Sequence, residues 1–342
     1  MLSPCKRLLY SAPIQRAYCD GMNRLLLEVL AAAFVLQSTV AGAADNYPSR
    51  PLRLIVPFPP GGGADTLARS VGQKLGEAWG QAVVIDNRPG GGANIAAELA
   101  ANAPPDGHTI LETVLAHVVN PSLIPKLKYD IHRDLVPVVL MATIPNILVV
   151  HPSVPVKSTR GLIDYVRARP GQLNYASTGN GGPQHLGVEL FKTLTGTQLT
   201  HVPYKGAAPA HADIVSGQIQ VMMANMLSSL PLIRAGRLRA LAISSAKRSP
   251  VVPDLPTIAE SVAGFESGSW FGLSVPAKTS RVIVDKLNDE VNRILNHAVL
   301  RNRLGAEGAS FAGGTPDAFA TFMRAESAKW ARVVKFASIR LD

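Results

Sequence analysis

The sequence has very few cysteines, few aromatic residues and no long hydrophobic run outside its first 44 positions. The only two cysteines, Cys5 and Cys19, both lie within that stretch of the 342-residue chain. If the stretch is removed on export, the rest of the protein has neither thiol chemistry nor disulfides. The remaining chain also lacks an apolar segment of the length that a membrane-spanning helix needs.

Familiar catalytic motifs are also missing. No G-x-x-x-x-G-K-[ST] sequence occurs, which excludes nucleotide hydrolysis of the P-loop type. The glycine runs do not match G-x-G-x-x-G, because Thr66, Ile95 and Gln184 replace its last glycine. Neither G-x-S-x-G nor H-E-x-x-H occurs, and no two histidines have the spacing of metal ligands. We therefore expect no catalytic residues, no cofactor and no metal.

The amino-terminal segment is typical of a secretory signal. A basic start at 22–24 precedes an apolar stretch over 25–40 and small residues at 41–44. The apolar stretch is too short to span a bilayer. We predict a signal peptide over 1–44, in which either Met22 is the true start or residues 1–21 form a long n-region, and hence a periplasmic location for the mature protein.

Basic residues outnumber acidic ones, with 34 Lys and Arg against 24 Asp and Glu and a formal net charge of +10. A basic surface attracts anionic small molecules. The positive charges are scattered, and no basic cluster carries interleaved aromatic residues. We therefore expect no nucleic-acid contact.

A glycine-rich stretch near the start of the mature chain lies between a predicted strand and a predicted helix. Residues 52–56 form an apolar run, prolines within 57–60 end it, and three glycines follow at 61–63. Either Asp65 or Thr66 can cap the helix that begins there. The loop therefore offers bare backbone N–H groups at a helix amino terminus, which is an anion site.

A second stretch, at 173–186, repeats this order of strand, glycine-rich loop and helix, with Pro183 in the first helical turn. A single loop of this kind is often only a turn. Two of the same form predict two jaws that close on one carboxylate-bearing ligand.

Strand and helix patterns alternate through most of the chain, which predicts an α/β fold with right-handed crossovers. Loops at 57–65, 87–94 and 116–121 all follow predicted strands. Because ligands bind beyond the carboxyl ends of parallel strands, we expect these loops to line the site.

The chain is expected to form two lobes, each a mainly parallel sheet flanked by helices. An apolar strand at 146–152 leads out of the first lobe, and an extended segment at 265–275 leads back. We place the first lobe at 45–148 and 271–342, and the second at 149–270. Two such crossings are the layout of a clamshell receptor with its ligand between the lobes.

Several polar side chains lie on the predicted cleft loops. For His117 and His185, hydrogen-bonding or packing support is the first interpretation and direct ligand contact the second. Asp65 is an acid in an anion site, so capping or orienting its own loop is its natural task. Lys205 and Arg88 could pair with an anionic ligand, or be solvated surface cations.

Four segments carry a resemblance to a known family, in the family's own order. They are PFPPGGGAD at 57–65, NRPGGGANI at 87–95, STGNGGPQHL at 177–186 and HVPYKGAAPA at 201–210. Over essentially all of 47–342 the chain resembles the Bug family. Its members are the substrate-binding receptors of tripartite tricarboxylate transporters.

The resemblance implies a two-lobe periplasmic binding protein of type II, the Venus flytrap fold. It also implies that the loops starting at Phe58 and Ser177 hold a carboxylate, often through ordered waters. Carried over by position, the ligand-binding residues are Phe58, Gly62, Gly63, Asp65, Ser177, Thr178, Gly179, Gly181, His185, His117, Tyr204 and Asn225.

On this basis we expect an exported, monomeric receptor for a small organic acid or amino acid, which it presents to a two-component membrane permease. Two other functions stay open. One is a ligand sensor that docks on a signalling protein. The other is an enzyme acting on carboxylates, for which only Asp65 and His185 are candidate acids or bases.

Overall fold

The computed structural model describes residues 47–336 and residue 339. The predicted signal peptide at 1–44 lies outside these residues. A compact unit begins at Arg50, and every element named below belongs to it. Within the described part of the chain, none of the helices combines the length and apolar character that crossing a bilayer requires.

The elements follow one another in three stretches. The first has β1 (Leu52–Val56), α1 (Gly63–Trp79), β2 (Val83–Asn87), α2 (Asn94–Ala101), β3 (Thr109–Val114), α3 (Leu115–Leu123) and β4 (Leu135–Ile144). The second has β5 (Asn146–Val150), α4 (Thr159–Arg167), β6 (Asn174–Ser177), α5 (Pro183–Thr195), β7 (Thr200–Pro203), α6 (Ala207–Ser216), β8 (Val221–Asn225), α7 (Met226–Arg234) and β9 (Arg239–Ile243). The third has β10 (Ser269–Pro276), α8 (Arg281–Leu295), α9 (Ala298–Gly305), β11 (Ser310–Phe311) and α10 (Pro316–Phe336).

The strands form two sheets, one for each lobe. The first sheet has the order β11-β4-β10-β3-β1-β2, and the second has the order β7-β6-β8-β5-β9. The chain passes from the first sheet to the second at Pro145, between β4 and β5, and returns between β9 and β10. The residue limits predicted for the lobes remain a proposal.

Four of the six strands in the first sheet and four of the five in the second run in one direction, and the remaining strands make both sheets mixed. The pairs β1–β2, β1–β3, β6–β7 and β6–β8 are parallel. All described antiparallel pairs involve β5, β10 or β11. Each strand that is followed by a helix in a βα unit ends at the cleft. The crossing strands β5 and β10 instead begin at the cleft, because the chain enters each sheet from that side. β5 and β10 therefore run antiparallel to their neighbours.

Buried hydrogen bonds join the two crossing segments. Ser244 Oγ accepts from the Asn146 N–H (2.9 Å) and donates to the carbonyl of Ser267 (2.7 Å). Ser269 Oγ donates to Oδ1 of Asn146 at 3.1 Å. All four residues are buried, so the hinge between the lobes is a connected polar unit inside the fold.

Each lobe has an apolar core of its own. In the second lobe, Phe191 and Phe265 meet edge to face with ring centroids 6.3 Å apart. In the first lobe, Trp270 on β10 meets Phe319 of α10 edge to face at 5.9 Å. Such pairs bury large areas and contribute beyond their area alone. The carboxyl-terminal helix thus holds the returning strand in place.

Candidate functional site

The first jaw is the loop between β1 and α1. Helix α1 begins at Gly63, and Gly62 stands at its N-cap position without a side-chain cap. The prediction that Asp65 or Thr66 caps this helix is therefore wrong, because both lie inside its first turn. The uncapped amides keep the positive end of the helix available to an anion.

Asp65 holds this loop from behind. Its carboxylate accepts hydrogen bonds from the Gly61 N–H (3.1 Å), Arg69 Nε (3.0 Å) and Asn87 Nδ2 (3.0 Å). Burial alone would raise the pKa of Asp65, but these hydrogen bonds outweigh it and hold the pKa below its ordinary value. Asp65 lines neither cavity of the cleft, so the structure places it as a support of the loop.

The second jaw is the loop between β6 and α5. Helix α5 begins at Pro183, and Gly182 at the N-cap position again offers no side-chain cap. Thr178 Oγ1 donates to Gln184 Oε1 at 2.8 Å, which joins the loop to the first turn of the helix. Ser177 Oγ accepts from the Gly179 N–H at 3.2 Å and lies 2.7 Å from Nε2 of His201. Ser177 is fully buried behind the loop.

Two stacked histidines lie behind this second jaw. The rings of His185 and His201 are 4.2 Å apart between centroids, and Tyr175 stacks on His201 at 4.8 Å. Nδ1 of His185 accepts from the Gly181 N–H at 3.2 Å. Burial and the neighbouring His185 lower the pKa of His201 to about 4, so the ring is neutral at physiological pH. His185 is thus placed as a support of Gly181 and does not line a cavity.

A third loop, after β2, closes one side of the cleft. Asn120 Nδ2 donates to the carbonyl of Gly92 at 2.8 Å. Nδ1 of His117 accepts from the Val114 N–H (3.1 Å), and its Nε2 lies 3.2 Å from the carbonyl of Ala93. Both side chains come from α3, where we expected a loop at 116–121. Fully buried, His117 connects two loops and does not reach the cleft.

The jaws enclose an inner cavity of about 40 Å³. It is lined by Phe58, Pro59, Gly62, Gly63, Ala64, Val114, Leu115, Thr178, Pro183, Gln184, Ala207, Asn225, Ser228, Ser269, Trp270 and Phe271. Both jaw helices therefore begin at the wall of the same cavity, as predicted from their sequence pattern.

An outer cavity of about 580 Å³ adjoins it and shares Phe58, Pro59 and Thr178 with it. The remaining lining residues are Pro57, Pro89, Gly90, Gly91, Gly92, Ala93, Ile95, Ala116, Gly179, Asn180, Gly182, Tyr204 and Lys205. Among the described residues that line the two cavities, Lys205 is the only charged one, and none is a histidine. Arg88, the other candidate cation, donates to Asp86 at 2.8 Å instead.

The lobes approach each other closely around these cavities. A β-carbon on Gly206 would lie 2.8 Å from Pro59, and one on Gly62 would lie 3.6 Å from Ala207. On the other side, a β-carbon on Gly181 would lie 3.0 Å from Asn120 Oδ1. The absence of a side chain at Gly206 and Gly181 permits this close approach of the lobes.

The predicted site residues thus fall into two groups. Those that line a cavity are Phe58, Gly62, Gly63, Thr178, Gly179, Tyr204 and Asn225. Those that lie behind the jaws are Asp65, His117, Ser177 and His185, whereas Gly181 faces Asn120 of the other lobe without lining either cavity. Tyr204 lines the outer cavity while its hydroxyl donates to Asp213 at 2.5 Å.

Sequence reasoning missed part of the lining. Val114 and Leu115 end the strand that the sequence predicts over 108–115, so their position at its carboxyl end was a usable signal. Trp270 and Phe271 lie on the returning strand, whose side chains the sequence could not assign to a face. Gln184 follows Pro183 in the first turn of a predicted helix, and this position was a usable signal for it.

Comparison with known proteins decides the family. Residues 67–339 match the tripartite tricarboxylate transporter family receptor, TctC. The chain belongs to this family. Protein BugT of Bordetella pertussis is 36% identical over 325 residues, which cover 94% of this receptor and 100% of BugT. The Bug-family resemblance is thereby confirmed.

Two solved structures with ligands resemble this receptor. Rpa4515 of R. palustris, with adipate, is 41% identical with a TM-score of 0.84, covering 86% of this chain and 99% of that one. MatC of Rhodopseudomonas palustris, with bound malate, is 34% identical with a TM-score of 0.80, covering 84% and 100%. The predicted α/β two-lobe fold is confirmed, and the role that these relatives indicate is solute binding. Within the described residues, no cluster of three potential metal ligands occurs.

Proposed function

We propose that this protein is an exported receptor that captures a small carboxylate-bearing solute between its lobes and presents it to the permease of a tripartite tricarboxylate transporter. The predicted signal peptide and the family support a periplasmic location. The ligand-bound relatives support the class of solute, since adipate and malate are both carboxylates.

One observation carries the proposal: the amino termini of α1 and α5 line the same inner cavity, and neither has a side-chain cap. Each terminus offers backbone N–H groups and the positive end of a helix dipole. A carboxylate between them would bind both lobes at once. Only a ligand that binds the closed state more tightly than the open one can drive closure.

Side-chain amides can add to this recognition. Asn225 Oδ1 accepts from the Leu227 N–H at 3.1 Å, and Gln184 Oε1 accepts from Thr178. Their amide nitrogens have no partner among the described residues, although both line the inner cavity. They are therefore available to donate to a carboxylate oxygen.

The cavity linings favour a receptor over an enzyme. Carboxylate chemistry would need a positioned general acid or base. Of the two sequence candidates, Asp65 is engaged with its own loop and His185 supports Gly181. Neither lines the described cavities.

The test is a calorimetric and thermal-shift screen of the purified protein against carboxylates and amino acids. With a Kd near 1 µM and 1 mM ligand, binding should stabilise the native state by about 4 kcal/mol. If no acid binds, the proposal is wrong.

A matched pair of variants locates the binding. Gly181 and Gly171 have the same φ of +73°, so alanine strains the backbone equally at both. A β-carbon meets Asn120 and Leu123 at Gly181 and nothing within 4 Å at Gly171. We expect Gly181→Ala to weaken binding at least tenfold, and Gly171→Ala to bind as the wild type. Equal affinities would place the ligand away from the jaws.

A further inference from the structure

We propose that Lys205 determines which ligand this receptor prefers, by pairing with a second anionic group that the ligand places in the outer cavity. The inference rests on the proposed function, because it takes the first carboxylate to lie between the jaws. It follows from the sizes of the two cavities and from the charge that lines the outer one.

The inner cavity has room for a carboxylate group and little more. Its volume is about 40 Å³, whereas a single water molecule needs about 10–15 Å³. The outer cavity, of about 580 Å³, adjoins it and shares Phe58, Pro59 and Thr178 with it. A ligand whose carboxylate lies between the jaws must therefore extend the rest of its body past these three residues into the outer cavity.

Lys205 stands where the second lobe meets the first jaw. It lies in the loop between β7 and α6, and a β-carbon on the next residue, Gly206, would lie 2.8 Å from Pro59 of the first jaw. A β-carbon on Gly179 of the second jaw would lie 3.6 Å from the carbonyl oxygen of Tyr204. The backbone of Lys205 is thus held close to both jaws, and its side chain lines the cavity into which they open.

The ammonium group of Lys205 is available to a ligand. It has no hydrogen-bond or ion-pair partner among the described residues, whereas Arg88 pairs with Asp86 at 2.8 Å. No acidic side chain lines either cavity in the described part of the chain. The one charge that lines the outer cavity is therefore positive and unpaired. Such a charge attracts an anionic ligand end and repels a cationic one.

The outer cavity is lined by both lobes. The glycines at 90–92 belong to the first lobe, and Lys205 belongs to the second. Glycine-rich loops expose backbone N–H groups, which can share the charge of an anion with a lysine. An anionic end held there would contact both lobes, as the first carboxylate does, and would add to the free energy that favours closure.

Three ligands with a six-carbon chain test the far end. Hexanoate, adipate and 6-aminohexanoate each offer one carboxylate to the jaws, and their other ends carry a methyl group, a carboxylate and an ammonium group. We expect titration calorimetry at low ionic strength to rank adipate first, hexanoate second and 6-aminohexanoate last. Adipate should bind about tenfold more tightly than hexanoate, because it gains a charge-assisted hydrogen bond.

Substitutions then assign the selectivity to Lys205. Lys205→Met keeps the length of the side chain and removes its charge, so adipate should lose its advantage over hexanoate. Lys205→Glu should invert the order, with 6-aminohexanoate binding more tightly than adipate. A general loss of folding or affinity cannot produce such an inversion.

Lys157→Glu is the matched control, because it makes the same change of net charge at an exposed position that lines neither cavity. It should keep the wild-type order. If Lys205→Glu also keeps that order, or if Lys157→Glu inverts it as well, the inference is wrong.

The outcomes separate this inference from the proposed function. If hexanoate or 6-aminohexanoate binds the wild type as tightly as adipate, the carboxylate receptor stands and the role of Lys205 is wrong. If no acid binds, both proposals are wrong.

Discussion

Gly63 and Asn225 face each other across the cleft at a distance that excludes a side chain. A β-carbon on Gly63, the first residue of α1, would lie 2.6 Å from Oδ1 of Asn225, the N-cap residue of α7. The two residues belong to different lobes. We therefore expect closure of the two lobes to depend on the absence of a side chain at Gly63.

We expect Gly63→Ala to favour the open state and weaken ligand binding at least tenfold. The added methyl group meets a side chain that caps its own helix and cannot move freely. Small-angle scattering should show a larger radius of gyration for the variant than for the wild type, with and without ligand.

Gly305→Ala is the control for this prediction. Gly305 is also helical, and a β-carbon there would meet nothing within 4 Å. Adding Asn225→Ser to Gly63→Ala should restore closure in part, because serine is shorter and still caps a helix. Identical scattering of Gly63→Ala and Gly305→Ala would show that the contact does not limit closure.

The local elements around Gly63 were predictable because their signals are local. The apolar run at 52–56, the prolines and the glycines specify strand, loop and helix within a few residues. The strands of the first sheet were harder to predict. The sequence does not predict β4, because Pro137 argues against a strand. In the structure Pro137 pairs with Ser274 beside a β-bulge, where the regular pairing is interrupted and proline is tolerated.

His117 makes stability depend on pH in the acidic range. Burial lowers its pKa from an ordinary 6.5 to about 4. A depressed pKa means that the folded state favours the neutral ring, so this stability is present above pH 6.5 and is lost as the pH falls toward 4. The loss should reach about 3 kcal/mol, at 1.36 kcal/mol for each unit of pKa.

Replacing the ring should remove this dependence. We expect His117→Asn to be less stable than the wild type at pH 7, because the contact with Ala93 is lost. Between pH 6.5 and 4 its free energy of unfolding should fall less than that of the wild type. Urea unfolding across this range measures both effects. The exposed His297→Asn is the control, and parallel profiles for all three proteins would contradict the prediction.

The same residue shows where sequence reasoning about the site stops. The order of the chain places His117, Ser177 and His185 next to the strand ends and helix starts that form the cleft. It does not say which way each side chain points, because that depends on partners far away in sequence, such as His201 for Ser177 and Ala93 for His117. That Gly62, Gly63 and Gly179 line a cavity was predictable, since a glycine in a jaw loop exposes its backbone whatever the packing.

Glu112 is a buried acid with an effect of the opposite sign. It is fully buried on β3, and neither carboxyl oxygen has a hydrogen-bond partner among the described residues. Burial and the nearby charge of Asp65 raise its pKa well above the ordinary 4.5. A raised pKa means that the folded state favours the protonated acid. The stability it contributes is therefore complete below pH 4.5 and is lost as the pH rises through the folded-state pKa.

We expect Glu112→Met, which has a similar length and no ionisable group, to gain stability over the wild type as the pH rises from 4.5. The difference in free energy of unfolding should grow by about 1.4 kcal/mol per pH unit until the folded-state pKa is passed. Glu266→Gln, at an exposed position, is the control and should follow the wild type. A constant difference between Glu112→Met and the wild type from pH 4.5 to 8 would mean that Glu112 does not change its charge on folding. In that case the Glu112 carboxyl ionises as readily in the native protein as in the unfolded chain.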